Sequence, residues 1–224
     1  MEKNLNKSEA VLNYLTREPK LKTEKPPILI LLHGVGSNEY DLFSFADQLP
    51  DNFLVVSARA PYTLGNNSYA WYQVDFSTGK PVFNKTQEEK SRNTIIQFIG
   101  DLKQSLLFDD RHVFLGGFSQ GAIMSYSVGL TRPDLVKGIF IMSGRLLDEV
   151  KPQIASGQQL ENLFVFMSHG KDDQTLGFQY ANAAYAYLKT LNLKPSFNLY
   201  EGGHFISREM LSDLVTWLSE QVKK

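Results

Sequence analysis

The chain of 224 residues is 42% hydrophobic, and its 23 basic and 24 acidic residues leave a formal net charge of -1. That length supports one sizeable core, and a near-neutral chain with no basic stripe among its aromatics argues against a nucleic-acid partner. Cysteine is absent, which excludes disulfides, thiolate nucleophiles and thiolate metal sites.

Met1 to Lys25 is polar and lacks the apolar run of a signal peptide, and no later stretch approaches about eighteen consecutive apolar residues. A cytoplasmic chain without a membrane span is the expectation. Residues 1–25 read as an N-terminal edge strand, on the weak alternation of Val11, Leu12, Tyr14 and Leu15, followed by a charged connector. Ile28 to Leu32 is a continuous apolar run between Pro27 and His33-Gly34, the length and punctuation of a strand buried on both faces. Ser37 or Asn38 caps a predicted helix running to about Leu49, where Pro50 stops it. A second buried strand is predicted over Phe53 to Ser57.

Residues 59–86 lack clear periodicity and hold Tyr62, Tyr69, Trp71, Tyr72, Phe76 and Phe83, with Ser77-Thr78-Gly79-Lys80 as a predicted hairpin turn. So long a segment reads either as an aromatic-rich loop or hairpin over a site, or as a satellite core packed beneath it. Ile95, Ile99, Leu102 and Leu106 recur at helical spacing between Gln87 and Leu107. A strand from Val113 then enters Gly116-Gly117-Phe118-Ser119-Gln120-Gly121, and a helix leaves it from Gln120 to about Thr131. Strands at Val136–Met142, Leu163–Met167 and Ser196–Tyr200 alternate with a partly helical stretch from Leu146 to Leu160 and a helix marked by Phe178, Ala181, Tyr185 and Leu188. The last helix buries Met210, Leu214, Trp217 and Leu218 and is capped by Ser207. This alternation predicts a single α/β domain, a mostly parallel central sheet with helices on both faces.

The Gly-Phe-Ser-Gln-Gly turn between a strand and a helix fits a nucleophile elbow, with the Ser119 hydroxyl held out at the strand's carboxyl end and the helix's amino end. A serine hydroxyl needs a base within reach and a third group to orient that base. Residues following different strands of a parallel sheet meet in one crevice. His33, His169 and His204 follow predicted strands, whereas His112 precedes one and belongs at the opposite end. His204, in a Gly-Gly-His loop after the last strand, has room to reach across and is the expected base. His33 and His169, each followed by glycine, read as histidines that bond local backbone. The acid comes from Asp172 or Asp173, and spacing does not choose between them.

Leu-His-Gly-Val-Gly (32 to 36), Gly-Gly-Phe-Ser-Gln-Gly (116 to 121), His-Gly-Lys-Asp-Asp (169 to 173) and Gly-Gly-His (202 to 204) occur in this order. Together they resemble the phospholipase/carboxylesterase family, the acyl-protein-thioesterase-like branch of the α/β-hydrolases. The resemblance runs from about Pro26 to Leu218. It implies an α/β-hydrolase fold and a serine hydrolase with Ser119, Asp173 and His204 as catalytic residues, with Asp173 chosen over Asp172 by its place in the motif. It further implies an oxyanion hole made by the backbone N–H groups of Val35 and Gln120, where side-chain substitution is expected to show little. No metal or organic cofactor is expected. The substrate is a small-molecule carboxylic ester or thioester, with acyl-thioesterase or lysophospholipase activity as alternatives, and the chain a monomer or homodimer. Trp71, Tyr72, Leu146 and Leu147 are the residues expected to line an acyl pocket. Two other readings are a metal site from His33, His169, Asp173 and His204, and a hydrolase-fold binding module without catalysis.

Overall fold

The structure, a computed structural model, describes residues 10–75, 77 and 82–223. Its elements in chain order are β1 (Tyr14–Arg17), β2 (Ile28–Leu32), α1 (Tyr40–Phe43), β3 (Leu54–Ala58), β4 (Tyr62–Gly65), β5 (Ser68–Ala70), β6 (Val74–Asp75), β7 (Val82–Phe83) and α2 (Lys85–Ser105). There follow β8 (Val113–Phe118), α3 (Gln120–Thr131), β9 (Gly138–Met142), α4 (Gly157–Leu160), β10 (Phe164–Gly170), α5 (Gln179–Thr190), β11 (Ser196–Tyr200) and α6 (Arg208–Gln221). Seven strands form one sheet in the order β1-β3-β2-β8-β9-β10-β11, parallel throughout except for β1, which runs antiparallel to β3.

Every residue of β2 is buried because the strand serves two cores at once. Side chains alternate across a strand. Ile28, Ile30 and Leu32 therefore join α2, α3 and α5 on one face, through residues such as Phe98, Tyr126 and Leu188. Leu29 and Leu31 join α1 and α6 on the other, with Leu42, Leu214 and Trp217. An unbroken apolar run is thus what two covered faces require. Helix α3 is buried from Gln120 to Leu130, which explains why its sequence shows no polar stripe.

Three differences from the sequence expectations have physical causes. The helix expected up to Leu49 is only the single turn α1, followed by a 3-10 turn at Ala46–Gln48. Here the Arg17 guanidinium takes up the carbonyls of Ala46, Leu49, Pro50 and Phe53, tying the turn to the end of β1. Strand β10 continues three residues beyond Met167, because Ser168, His169 and Gly170 pair with Asn198, Leu199 and Tyr200 of β11. Residues 59–86 form two short hairpins, β4-β5 and β6-β7; the turn expected at Ser77–Lys80 falls on residues 78–80, outside the described residues. No helix among the described residues is long and apolar enough to cross a membrane.

Two glycines allow a close backbone approach at the end of β2. A Cβ on either Gly117 or Gly121 would be driven into the carbonyl oxygen of Leu32, deep inside contact distance. Gly100, in the middle of α2, has nothing near its missing Cβ. Gly121→Ala is accordingly expected to lower the unfolding free energy by about 1–3 kcal/mol or more, and Gly100→Ala to raise it by up to about 1 kcal/mol. Urea midpoints of the two variants against the parent chain give the comparison, and equal midpoints would refute it.

Candidate active site

Ser119 stands between β8 and α3 with φ 53° and ψ -117°, a left-handed conformation that costs a non-glycine residue about 1–3 kcal/mol. Its neighbours hold it there: its N–H donates to Met142 O at 2.9 Å, and its carbonyl accepts from Ile123 N–H at 3.0 Å. The bend turns the hydroxyl out toward the loops that follow β10 and β11.

Those loops carry the two groups the hydroxyl meets. His204 Nε2 lies 2.9 Å from Ser119 Oγ, and His204 Nδ1 lies 2.6 Å from Asp173 Oδ2. A carboxylate only accepts. Nδ1 must therefore be the protonated nitrogen, leaving Nε2 as the acceptor that faces the serine O–H. The other oxygen of Asp173 accepts from the N–H groups of Thr175 and Leu176 at 2.9 and 2.8 Å, and the whole side chain is buried. His204 is held from outside as well. Its ring packs on Phe118, 4.8 Å between centroids, and the two loops are tied by Asp172 N–H to Gly202 O at 2.9 Å and by the Lys171–Glu201 ion pair.

The other histidines take different parts. His33 donates from Nδ1 to Gly34 O at 2.8 Å and accepts at Nε2 from Ala60 N–H at 3.0 Å, so both nitrogens are spent on turns. His112 sits at the far end of the sheet on Asp109, 2.9 Å away. His169 Nε2 donates to Leu176 O at 2.6 Å and lies 3.2 Å from Asp173 Oδ2. Sequence reasoning gave His169 to local backbone and missed its contact with the carboxylate, because that contact depends on the extra length of β10. Asp172 is exposed, and the structure brings only Asp173 to His204. Among the described residues no three His, Asp or Glu side chains converge as metal ligands.

The loop after β2 closes on the elbow. A Cβ on Gly34 would lie 3.5 Å from Ser119 Cβ, so the loop that carries Val35 lies against Ser119. Hairpin β4-β5 holds this loop by Gly36 N–H to Tyr69 O at 2.8 Å and Tyr69 N–H to Ser37 O at 2.9 Å. Buried Glu39 anchors its far end through a two-toothed ion pair with Arg59. Gln120, first residue of α3, has a backbone N–H among the four that a helix leaves without an internal acceptor.

Trp71 and Tyr72, expected in the wall of an acyl pocket, are instead sealed in the core at 0% and 2% exposure. Trp71 has committed its polar groups to Gln120, His33 and Ser91, and burial pushes the Tyr72 hydroxyl well above the usual tyrosine range. The open apolar surface lies further out. A groove of about 630 Å3 runs between the two hairpins, lined by Val35, Leu64, Val74, Val82 and Phe83, with Gln73, Asp75 and Asn84 as its polar members. Leu146 and Leu147 line a separate hollow of about 450 Å3 beside Phe83, Arg145 and Tyr180. Leu64 and Val82 were not picked out from sequence, since hairpin position rather than residue type exposes them.

A protein-family model described as Phospholipase/Carboxylesterase matches residues 17–222. Carboxylesterase SOBER1 of Arabidopsis thaliana is 25% identical over 208 residues, covering 87% of this chain and 90% of that protein. Acyl-protein thioesterase 1 of Candida albicans is 26% identical over 216 residues, covering 88% and 92%. The solved structure of the Bacillus cereus carboxylesterase has a TM-score of 0.79 at 20% identity, over 95% of each chain, and shares the fold.

The two buried histidines, His33 and His169, make stability depend on pH in weak acid. Burial holds His33 and His169 below the ordinary imidazole range, so both stay neutral where an unfolded histidine, with pKa about 6.5, takes up a proton. The unfolded chain then binds more protons than the folded one. Their contribution is complete above about pH 6.5 and declines below it, by up to about 1.4 kcal/mol per pH unit for each proton withheld. Thermal melts are expected to give a level Tm above about pH 7 and a falling one between about pH 6.5 and pH 5. A Tm unchanged across that interval would contradict the neutral buried rings.

Proposed function

The chain belongs to the phospholipase/carboxylesterase family, and from that premise we propose that it is a serine hydrolase cleaving carboxylic esters through an acyl-enzyme on Ser119. The observation that carries the reading is the unbroken hydrogen-bonded path from Ser119 Oγ through His204 to Asp173. It joins three residues delivered by three separate strand ends.

In this reading Ser119 Oγ attacks the substrate carbonyl carbon as its proton passes to His204 Nε2. Asp173 keeps the imidazole turned and stabilises the imidazolium without taking the proton itself. The carbonyl oxygen, now carrying the negative charge, is received by the N–H groups of Val35 and Gln120, of which each is worth about 3 kcal/mol in comparable sites. Collapse of the tetrahedral adduct breaks the bond to the alcohol or thiol, which leaves with the proton from His204. Water then loses a proton to the same nitrogen, attacks the acyl-serine carbonyl, and releases the carboxylic acid. Side chains and backbone amides handle every proton and charge in the cycle, so it calls for no metal or organic cofactor.

We place the acyl group in the groove between the hairpins, because Val35 belongs both to that groove and to the loop beside Ser119. An ester and a thioester present the same acyl half there. The names of the relatives, carboxylesterase and acyl-protein thioesterase, support both leaving groups. A small ester or thioester handled in the cytoplasm by a monomer or homodimer is the setting this reading proposes.

Ser119→Ala is expected to abolish the pre-steady-state burst from a nitrophenyl ester, to stop labelling by a fluorophosphonate, and to lower kcat by about 10^4-fold or more. Equal turnover by the variant would remove Ser119 from the mechanism. In a series of nitrophenyl esters of rising acyl length, kcat/KM is expected to climb by up to about fourfold per buried methylene. Leu64→Asp and Val82→Asp are expected to flatten that climb, and a series with no slope in the parent chain would reject the groove as the acyl site.

A further inference from the structure

The two amides proposed to receive the oxyanion come from segments more than eighty residues apart in the sequence, and one buried dipeptide is bonded to both. Trp71 donates its indole N–H to His33 O at 2.9 Å, two residues before Val35. Its backbone N–H donates to Gln120 Oε1 at 2.7 Å, while Gln120 Nε2 donates to Tyr72 O at 2.7 Å. The Trp71 carbonyl is itself fixed from α2 by the Ser91 hydroxyl. The Trp71 ring lies 5.7 Å from that of His33, whose Nδ1–H holds the carbonyl of Gly34. Trp71, His33 and Ser91 have no exposed surface, and Gln120 is buried.

We infer that the Trp71 side chain and the Gln120 side chain are positioning residues for the oxyanion site, a clasp that sets the separation between the Val35 and Gln120 amides. This rests on the serine-hydrolase reading above. Val35 lies between Gly34 and Gly36, the latter at φ 82°, so its own stretch of backbone has little stiffness. Donors to an oxyanion act only within a few tenths of an ångström of their proper place. Stiffness must therefore come from outside the loop. The hairpin bonds to Gly36 and Ser37 supply it beyond Val35, and the indole bond to His33 supplies it before. A buried indole N–H takes an acceptor in any case; the acceptor here, with the backbone bond to Gln120, ties the end of β2 to the start of α3. The side chain of Gln120 is then as consequential as its backbone.

The test uses Trp71→Phe, which removes the indole donor and keeps the backbone bonds, and Gln120→Leu, which keeps the backbone N–H and removes both side-chain bonds. Burst amplitude with a nitrophenyl ester counts intact sites. The burst rate and its dependence on ester concentration separate acylation from binding, and an alkyl boronic acid, which forms a tetrahedral adduct on a serine, reports the oxyanion site directly. In each variant the acylation rate per intact site is expected to fall about tenfold or more, with boronic acid affinity falling in parallel. Half-saturation for the ester is expected to move by less than about threefold, as befits a transition-state effect. A role in packing alone would lower Tm or burst amplitude and leave the rate per site unchanged. Acylation within about twofold of the parent in either folded variant overturns the clasp. If Trp71→Phe does not fold, Gln120→Leu and the milder Gln120→Met carry the same comparison. A parent chain with no burst and no labelling at Ser119 overturns the hydrolase reading and the clasp together. A parent chain with both, beside variants of unchanged rate, overturns the clasp alone.

Discussion

The approach of two backbones at the end of β2 is the constraint from which the site follows. Gly117 and Gly121 leave just enough room for the elbow to close on the carbonyl of Leu32, and side chains there would hold β8 and the start of α3 away from β2 at this end. With that gap closed, the loop after β2 lies against Ser119, and Gly34 is in contact range of its Cβ. The loops after β10 and β11 reach the same place from across β9, which stands between β8 and β10 in the sheet. A parallel sheet puts all these ends on one edge. The close packing at Leu32 decides how near each other they come.

Hydrogen bonding then divides the labour among chemically identical rings. His33 donates and accepts within the fold, and neither nitrogen is free for a substrate. His169 gives its Nε2 proton to a carbonyl and lies against the carboxylate that holds His204. His204 alone has a donor committed to a buried carboxylate and an acceptor turned to a serine hydroxyl. Position in the sequence favoured this ring, through its glycine-rich loop after the last strand. What sets it apart is the partner on its other nitrogen, the buried carboxylate of Asp173.

Much of this was legible before any coordinates. The apolar run of β2, the strand-serine-helix turn and the placing of histidines after strands are local patterns, and local patterns survive translation into structure. What stayed hidden was set by distant contacts. Trp71 looked like a pocket wall because an aromatic in a long irregular segment carries no sign of which way it faces, and its actual partners lie 38 and 49 residues away. The reach of β10 to Gly170 came from pairing with β11, not from any propensity of Ser-His-Gly. The 3-10 turn that stands where the helix was expected to run on to Leu49 is held by Arg17, a residue from the opposite side of β2 in the sequence. The apolar groove is a gap between two hairpins, and a gap has no sequence of its own.

The left-handed backbone at Ser119 sets folding and reactivity against each other. Glycine would take that bend without penalty, so nothing in the architecture asks for a hydroxyl there. A lineage released from its chemistry would therefore gain robustness by drifting to glycine at this position. On the reading proposed above, it is the reactivity of the hydroxyl that outweighs the strain of this posture.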